Sequence, residues 1–340
     1  MVDAPLVRVP DGKKADLVLE GGGVKGIGLV GAVLTLSEAG YRFPRLAGTS
    51  AGAITAAIVA ALQAAGQPLT HLKDYVDSVD YPKFEAEGWL REELGPVGDA
   101  EQLFVHMGLH SGNYLVEWLG GILEQIGITT FDQLRMDDPE SALPEDHRYS
   151  LIVHTADITR RKLVRLPWDY GNYGLEPHRQ RIVDAVRASM SIPFFFRPVR
   201  VKAKEATHDG VHYPAGSATW VDGGLLSNFP VEVFDRGDGQ PTRWPTVGIK
   251  LSARDATMPP ATASDNTLHE ALSCLQTLLN NANRYYLTPD KVARTIFVDS
   301  TGITATDFDI TAEQRATLFA NGQAAAGQWL NRSAPPAARV

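Results

Sequence analysis

Within the first 65 residues, two short apolar segments each run into a glycine-rich turn and then into a helical stretch. Ala15–Glu20 ends at Gly21-Gly22-Gly23-Val24-Lys25-Gly26, and Ile27–Ala39 continues with helical patterning until Gly40. Phe43–Ala47 ends at Gly48-Thr49-Ser50-Ala51-Gly52, and the alanine-rich run Ala51–Ala65 follows, stopped by Gly66 and Pro68. Two successive strand-turn-helix units predict neighbouring strands that point the same way, in a sheet covered on both faces. The expected architecture is α/β, a three-layer α/β/α arrangement around a central, mostly parallel sheet.

The rest of the chain extends that pattern. Helices are expected near Tyr114–Ile126, Arg179–Ala188, Thr267–Ala282 and Ala312–Leu330, and strands near Ser150–Ile158, Lys162–Leu166, Pro198–Val201, Ala218–Val221, Thr246–Leu251 and Thr295–Asp299. Glycines and prolines are dispersed, so no linker divides two domains. The expected organisation is an N-terminal extension over residues 1–14, one domain over 15–330, and a Pro/Ala-rich tail over 331–340. Residues 81–112 are irregular, with scattered glycine and proline, and are the expected place for a lid.

Composition narrows the function classes. A net charge of −8 over 340 residues leaves no excess of cations to displace phosphate counterions, which argues against nucleic acid as a partner. Cys274 is the only cysteine, so no internal disulfide can form. Met1–Lys14 lacks the apolar core of a Sec-type signal peptide, and the longest apolar run, Ile54–Leu62, is far too short to span a membrane. The expectation is a soluble, cytoplasmic protein with peripheral membrane contact. Delivery by a specialised secretion machine would leave no trace of this kind.

The first glycine turn fits G-x-G-x-x-G, a dinucleotide-binding pattern. That reading requires a carboxylate about 20 positions on, at the end of the second strand, and Pro44-Arg45-Leu46-Ala47-Gly48 supplies none. A Walker loop fails too, because Lys25 precedes the final glycine. Two readings remain: a loop that lets strand and helix pack closely, or successive N–H groups at a helix start arranged to hold an oxyanion.

The second turn favours the oxyanion. Gly-x-Ser-x-Gly between strand and helix is the pattern of a nucleophile elbow, with glycines where a Cβ would clash and the serine at the apex. A serine hydroxyl needs a base. His269 is the only histidine after Asp222 and reads as a surface or helix-start residue; His154, at a strand end, reads as a core or rim residue. Asp222-Gly223-Gly224 closes the strand-like run Ala218–Val221 and can present a carboxylate at a strand end. It is the better candidate base, set against a plain Asp-Gly turn.

Four blocks, in order, resemble the patatin-like phospholipase family: Gly21–Gly26, Gly48–Gly52, Ala188-Ser189-Met190-Ser191-Ile192-Pro193, and Asp222-Gly223-Gly224 with Asn228 and Pro230 downstream. They extend over Ala15–Pro230; the C-terminal third carries no matching motif. The resemblance implies a Ser-Asp dyad of Ser50 and Asp222 without histidine. It implies an oxyanion hole from the backbone of Gly22 and Gly23, with Val24 as a third donor. Where the family often carries arginine this chain has Lys25, which keeps the charge and loses the bidentate fork.

The resulting expectation is a serine lipid acyl hydrolase acting through an acyl-enzyme, with a membrane phospholipid or other lipid ester as substrate. Neither nucleophile nor base calls for a metal or cofactor. The competing expectation is a regulatory protein on the same fold, its site gated by an activating partner or ligand. Phe194-Phe195-Phe196 reads as core or as an acyl-chain wall, and Leu103–Met107 as local packing or a lid that meets lipid. The basic runs Arg160–Lys162 and Arg197–Lys204 read as solvated faces or headgroup contacts.

Overall fold

The computed structural model describes residues 5–8, 11–86, 108–138, 140–141, 143–252, 288–305 and 307–333. The helix expected at 267–282 with His269 and Cys274, the lid segment 103–107, and the tail beyond Ser333 lie outside the described residues.

The main sheet contains β1 (Asp16–Leu19), β2 (Leu46–Thr49), β3 (Leu151–Asp157), β4 (Lys162–Leu166), β5 (Val199–Ala203), β6 (Gly216–Asp222), β7 (Thr246–Lys250) and β8 (Thr295–Phe297), in the order β5-β6-β3-β2-β1-β7-β8 with β4 also on β3. β3, β2, β1, β7 and β8 run parallel. β4, β5 and β6 join by antiparallel ladders. The fold is therefore mixed α/β with a central, mostly parallel sheet. β1, β2, β3 and β7 are buried along their whole length, which is why their apolar residues do not alternate with solvent-facing polar ones.

The longer helices are α1 (Ile27–Glu38), α2 (Ala51–Ala64), α3 (His71–Asp77), α4 (Asn113–Ile126), α5 (Ile182–Ser189) and α6 (Ala312–Ser333). α2 packs on β2 and β3 and against α4 and α5, while α1 packs against α6. Almost every side chain of α2 from Ala51 to Leu62 is buried, and its alanines let the helix lie close to the strands. α4 turns Leu115, Leu119, Ile122, Leu123 and Ile126 inward at helical spacing. On the other face of the sheet, Phe229 and Val231 close over β7 at Gly248.

The first residues are tied down by pairing. Val7–Arg8 pairs with Met136–Asp137, and Lys13–Lys14 pairs with Tyr41–Arg42. The second strand begins at Leu46, later than its apolar segment, because Tyr41–Arg42 forms that separate short ladder. Phe194–Phe196 forms a short parallel strand with Gly108–His110.

One feature of β3 sets the site. Val153 pairs with Gly48 on one side and Leu166 on the other; Thr155 pairs with Asp222 and Val164. β4 thus occupies one edge of β3 from Val153 to Asp157, and β2 and β6 share the other edge, end to end. β2 delivers Thr49 opposite His154, and β6, running the opposite way, delivers Asp222 opposite Thr155.

Candidate active site

Ser50 stands between the last residue of β2 and the first of α2, with φ 53° and ψ −124°. A non-glycine residue in this region costs roughly 1–3 kcal/mol and persists only where its surroundings impose it. Here they do. A Cβ on Gly52 would lie 2.3 Å from the Leu19 carbonyl oxygen of the neighbouring strand, so the turn passes against backbone that cannot give. Gly48 is equally close to Gly52, and Gly26 sits against Ala51. The Ser50 N–H donates to Ser189 Oγ at 2.8 Å, and Ser189 Oγ donates to the His154 carbonyl at 2.6 Å. Ser189, at the end of α5, thereby fixes the elbow.

Asp222 is 2% exposed. Its Oδ1 accepts the Gly224 N–H at 2.7 Å, and Gly223 passes against the His154 carbonyl, which keeps the chain turning tightly after β6. Oδ2 is buried without a hydrogen-bond partner. Burial pushes the carboxyl up from 3.8 to about 6, against the opposing pull of the Ser50 hydroxyl and the Gly224 N–H. The Ser50 hydroxyl is near enough to favour the charged carboxylate, yet it donates to Met190 Sδ at 3.4 Å. A rotation about the Ser50 side chain separates that arrangement from one aimed at the free oxygen. Such contacts commonly tighten only when substrate is bound.

His154 is adjacent in the register but faces away from Asp222. Side chains alternate along a strand, so His154 projects from the opposite face of β3 to Thr155, and Asp222 shares the Thr155 face. The ring is fully buried, neither nitrogen has a hydrogen-bond partner, and burial lowers its pKa from 6.5 to about 4. The sequence expectation of a core histidine holds.

β1 and β2 are adjacent and parallel, with Leu19 opposite Gly48, so the glycine loop and the Ser50 turn leave the same end of the sheet. Asn228 clamps the loop: its Nδ2 donates to the Gly21 carbonyl at 2.9 Å, and its own carbonyl accepts the Gly21 N–H at 3.1 Å. The N–H groups of Gly22 and Gly23 have no acceptor among the described residues. Val24 differs: its N–H donates to the Ala305 carbonyl at 3.2 Å, so it is taken in this conformation. Gly23 has φ 55°, and a Cβ there would fall 1.8 Å from the Ala305 oxygen. Lys25 lies in the short 3-10 turn Gly23–Gly26, half-buried, with burial lowering its pKa.

Beside the elbow is an apolar cleft of about 40 Å³, walled by Ala51, Ile54, Met190, Phe84, Trp118 and Phe308. A larger cavity of about 430 Å³ lies along β4, lined by Lys162, Arg165 and Asp169, and includes neither Ser50 nor Asp222. Proximity to Ser50 singles out the smaller cleft. Phe195 and Phe196 form an aromatic cluster with Phe84 and Phe308 at its rim. Ser189 and Met190 sit within a recognised sequence block without any sign of their roles. Ala305 and Phe308 come from the third of the chain that carries no motif.

The sequence profile described as Patatin-like phospholipase matches residues 17–235. The chain is 31% identical over 315 residues to the uncharacterized protein YqhO of Bacillus subtilis (strain 168), covering 91% of this chain and 95% of that protein. Among solved structures, VipD from Legionella pneumophila aligns with a TM-score of 0.48 at 19% identity, over 98% of this chain and 71% of VipD. The heterodimeric ExoU-SpcU complex from the type III secretion system of Pseudomonas aeruginosa aligns with a TM-score of 0.45 at 18% identity, over 97% of this chain and 52% of that one. A Ser-Asp pair is typical of the matched family. On the extent of the profile and the length of the YqhO alignment, the chain belongs to the patatin-like phospholipase family, whose name implies hydrolysis of lipid esters.

Proposed function

We propose that the chain is a serine lipid acyl hydrolase of the phospholipase A or lysophospholipase type. The observation that carries this reading is the unpartnered Oδ2 of Asp222, buried on the same strand edge at which β2 delivers Ser50. In the first step Ser50 Oγ attacks the ester carbonyl while its proton passes to Asp222 Oδ2. The carbonyl oxygen becomes an oxyanion, held by the Gly22 and Gly23 N–H groups. The protonated Asp222 then gives its proton to the leaving alcohol or lysolipid oxygen as the C–O bond breaks. Water, deprotonated by Asp222, attacks the acyl-enzyme, and the fatty acid leaves as Ser50 regains its proton.

The raised pKa of Asp222 suits this work, because a base must also return the proton. The peptide dipoles of α2 point their positive end at Ser50 and favour the same developing negative charge. Among the described residues, no helix is long and apolar enough to cross a membrane, which fits a substrate met at the bilayer surface. A second reading, a site held shut until a partner or ligand acts, is favoured by one contact: the Ala305 carbonyl on the Val24 N–H.

The test compares wild type, Ser50→Ala and Asp222→Asn on p-nitrophenyl esters and on phosphatidylcholine vesicles, with fluorophosphonate labelling in parallel. Activity that survives Ser50→Ala, or label on another residue, would sink the mechanism.

A further inference from the structure

A lipid acyl hydrolase needs room for an acyl chain, and pockets that bury organic ligands usually span about 300–1,000 Å³. The apolar cleft beside Ser50 holds only about 40 Å³. Phe308 forms one wall of that cleft. Its ring is 4% exposed, stacks on Phe195 at 5.1 Å with 23° between planes, and lies 5.6 Å from Phe84. Three residues earlier, the Ala305 carbonyl accepts the Val24 N–H of the glycine loop at 3.2 Å. One segment thus places a carbonyl oxygen on an oxyanion-loop donor and an apolar group in the adjoining cleft. An acyl ester bound for attack by Ser50 would bring its carbonyl oxygen to the same glycine loop, onto the Gly22 and Gly23 N–H groups beside Val24, and its chain into the same cleft.

We infer that Ala305 and Phe308 occupy the site in the manner of a substrate, and that the cleft beneath Phe308 is the acyl-chain subsite, opened when a fatty acyl chain displaces the ring. The inference rests on the hydrolase reading for its choice of ligand. The segment is built to leave. Among the described residues from Thr301 to Ile310, Phe308 alone is buried. The turn around it is closed locally, by Thr304 N–H and Oγ1 donating to the Asp307 carboxylate at 2.7 and 2.5 Å, so it can move as a unit. Gly23 has no side chain to obstruct the approach of that carbonyl or of the ester that replaces it. The chain thereby discriminates by length. Short acyl groups gain nothing from the closed cleft, while long ones gain its walls once Phe308 is out.

The test uses Phe308→Ala and the milder Phe308→Leu, each in wild-type and Ser50→Ala backgrounds, with far-UV circular dichroism to verify folding. In the Ser50→Ala background, calorimetric binding of monomeric decanoate should tighten at least tenfold with Phe308→Ala, with Phe308→Leu between. In the active background, the ratio of kcat/KM for p-nitrophenyl decanoate to that for the acetate should rise at least tenfold. Folded variants with unchanged binding and an unchanged ratio would overturn the inference. Ser50-dependent hydrolysis with no response to Phe308 removes the subsite and leaves the hydrolase standing. Tighter decanoate binding without hydrolysis of any ester does the reverse.

Discussion

Thr49 and Asp222 pair with successive residues of one strand, Thr49 opposite His154 and Asp222 opposite Thr155, although 173 positions separate them in the chain. Two strands running toward each other along the same edge of β3 meet there. Ser50 follows Thr49 directly, so its side chain and the Asp222 carboxylate are brought together by strand register and not by flexible loops. Rigid elements hold a catalytic pair more tightly than loops do.

Removing either member of the pair should abolish turnover. Ser50→Ala and Asp222→Asn are expected to lower kcat by about 10⁴–10⁶, the range seen when members of a catalytic unit are deleted. The two losses should not add in the double variant. Initial rates on a short p-nitrophenyl ester check this, and additive losses would show that the two side chains act in separate steps.

The pH profile follows from burial. Asp222 must be ionised to act as base, and its pKa is raised to about 6. kcat/KM should therefore rise with pH through about 6 and level off above it. A profile already flat from pH 4.5 upward would place the base elsewhere.

The same shift makes Asp222 a stability cost. The folded state binds this proton more tightly than the unfolded chain, so the group's contribution to stability is complete below about 4 and is lost as pH rises through about 6. Asp222→Asn keeps an acceptor for the Gly224 N–H and removes the buried charge. It should stabilise the protein at pH 8 by about 1–3 kcal/mol, given 1.36 kcal/mol per pKa unit, with no gain at pH 4. Thermal melts at both values decide the matter.

Ser189 should matter to both stability and rate. Ser189→Ala leaves the Ser50 N–H and the His154 carbonyl without their buried partner, at a cost of about 1–3 kcal/mol per orphaned group. With the elbow less well fixed, kcat should fall by about tenfold or more while KM changes little, because a small misplacement of a nucleophile is felt chiefly in the reacting step. Denaturant melts and steady-state kinetics separate the two effects.

His154 distinguishes a dyad from a triad. His154→Phe removes two unpartnered ring nitrogens from the interior and should leave kcat within about threefold of wild type, since no acid-base role is lost. It should also change acid stability. The pKa lowered to about 4 means that the folded state resists protonation; the stability His154 contributes is present above about 6.5 and lost as pH falls through about 4. Arg165 and Asp169, on the strand and turn beside the ring, act on its charge in opposite senses. The variant should lose less stability than wild type between pH 6.5 and 4, measured by urea midpoints.

The sequence by itself determined the parts. The strand-turn-helix units, the elbow at Ser50, the glycine loop and the carboxylate closing β6 were all legible, because each depends on residues near one another in the chain. Apolar runs bounded by glycine state where a strand ends, and a strand end is where these side chains sit. What only the tertiary structure decided was how the parts meet. Nothing in the sequence placed β2 and β6 end to end on β3, turned His154 away from Asp222, or gave Ser189 the Ser50 N–H. Strand pairing is non-local, and a shift of one residue in register reverses the face every side chain occupies. The carbonyl of Ala305 and the ring of Phe308 reach the glycine loop from far along the chain, by contacts that leave no local pattern to read.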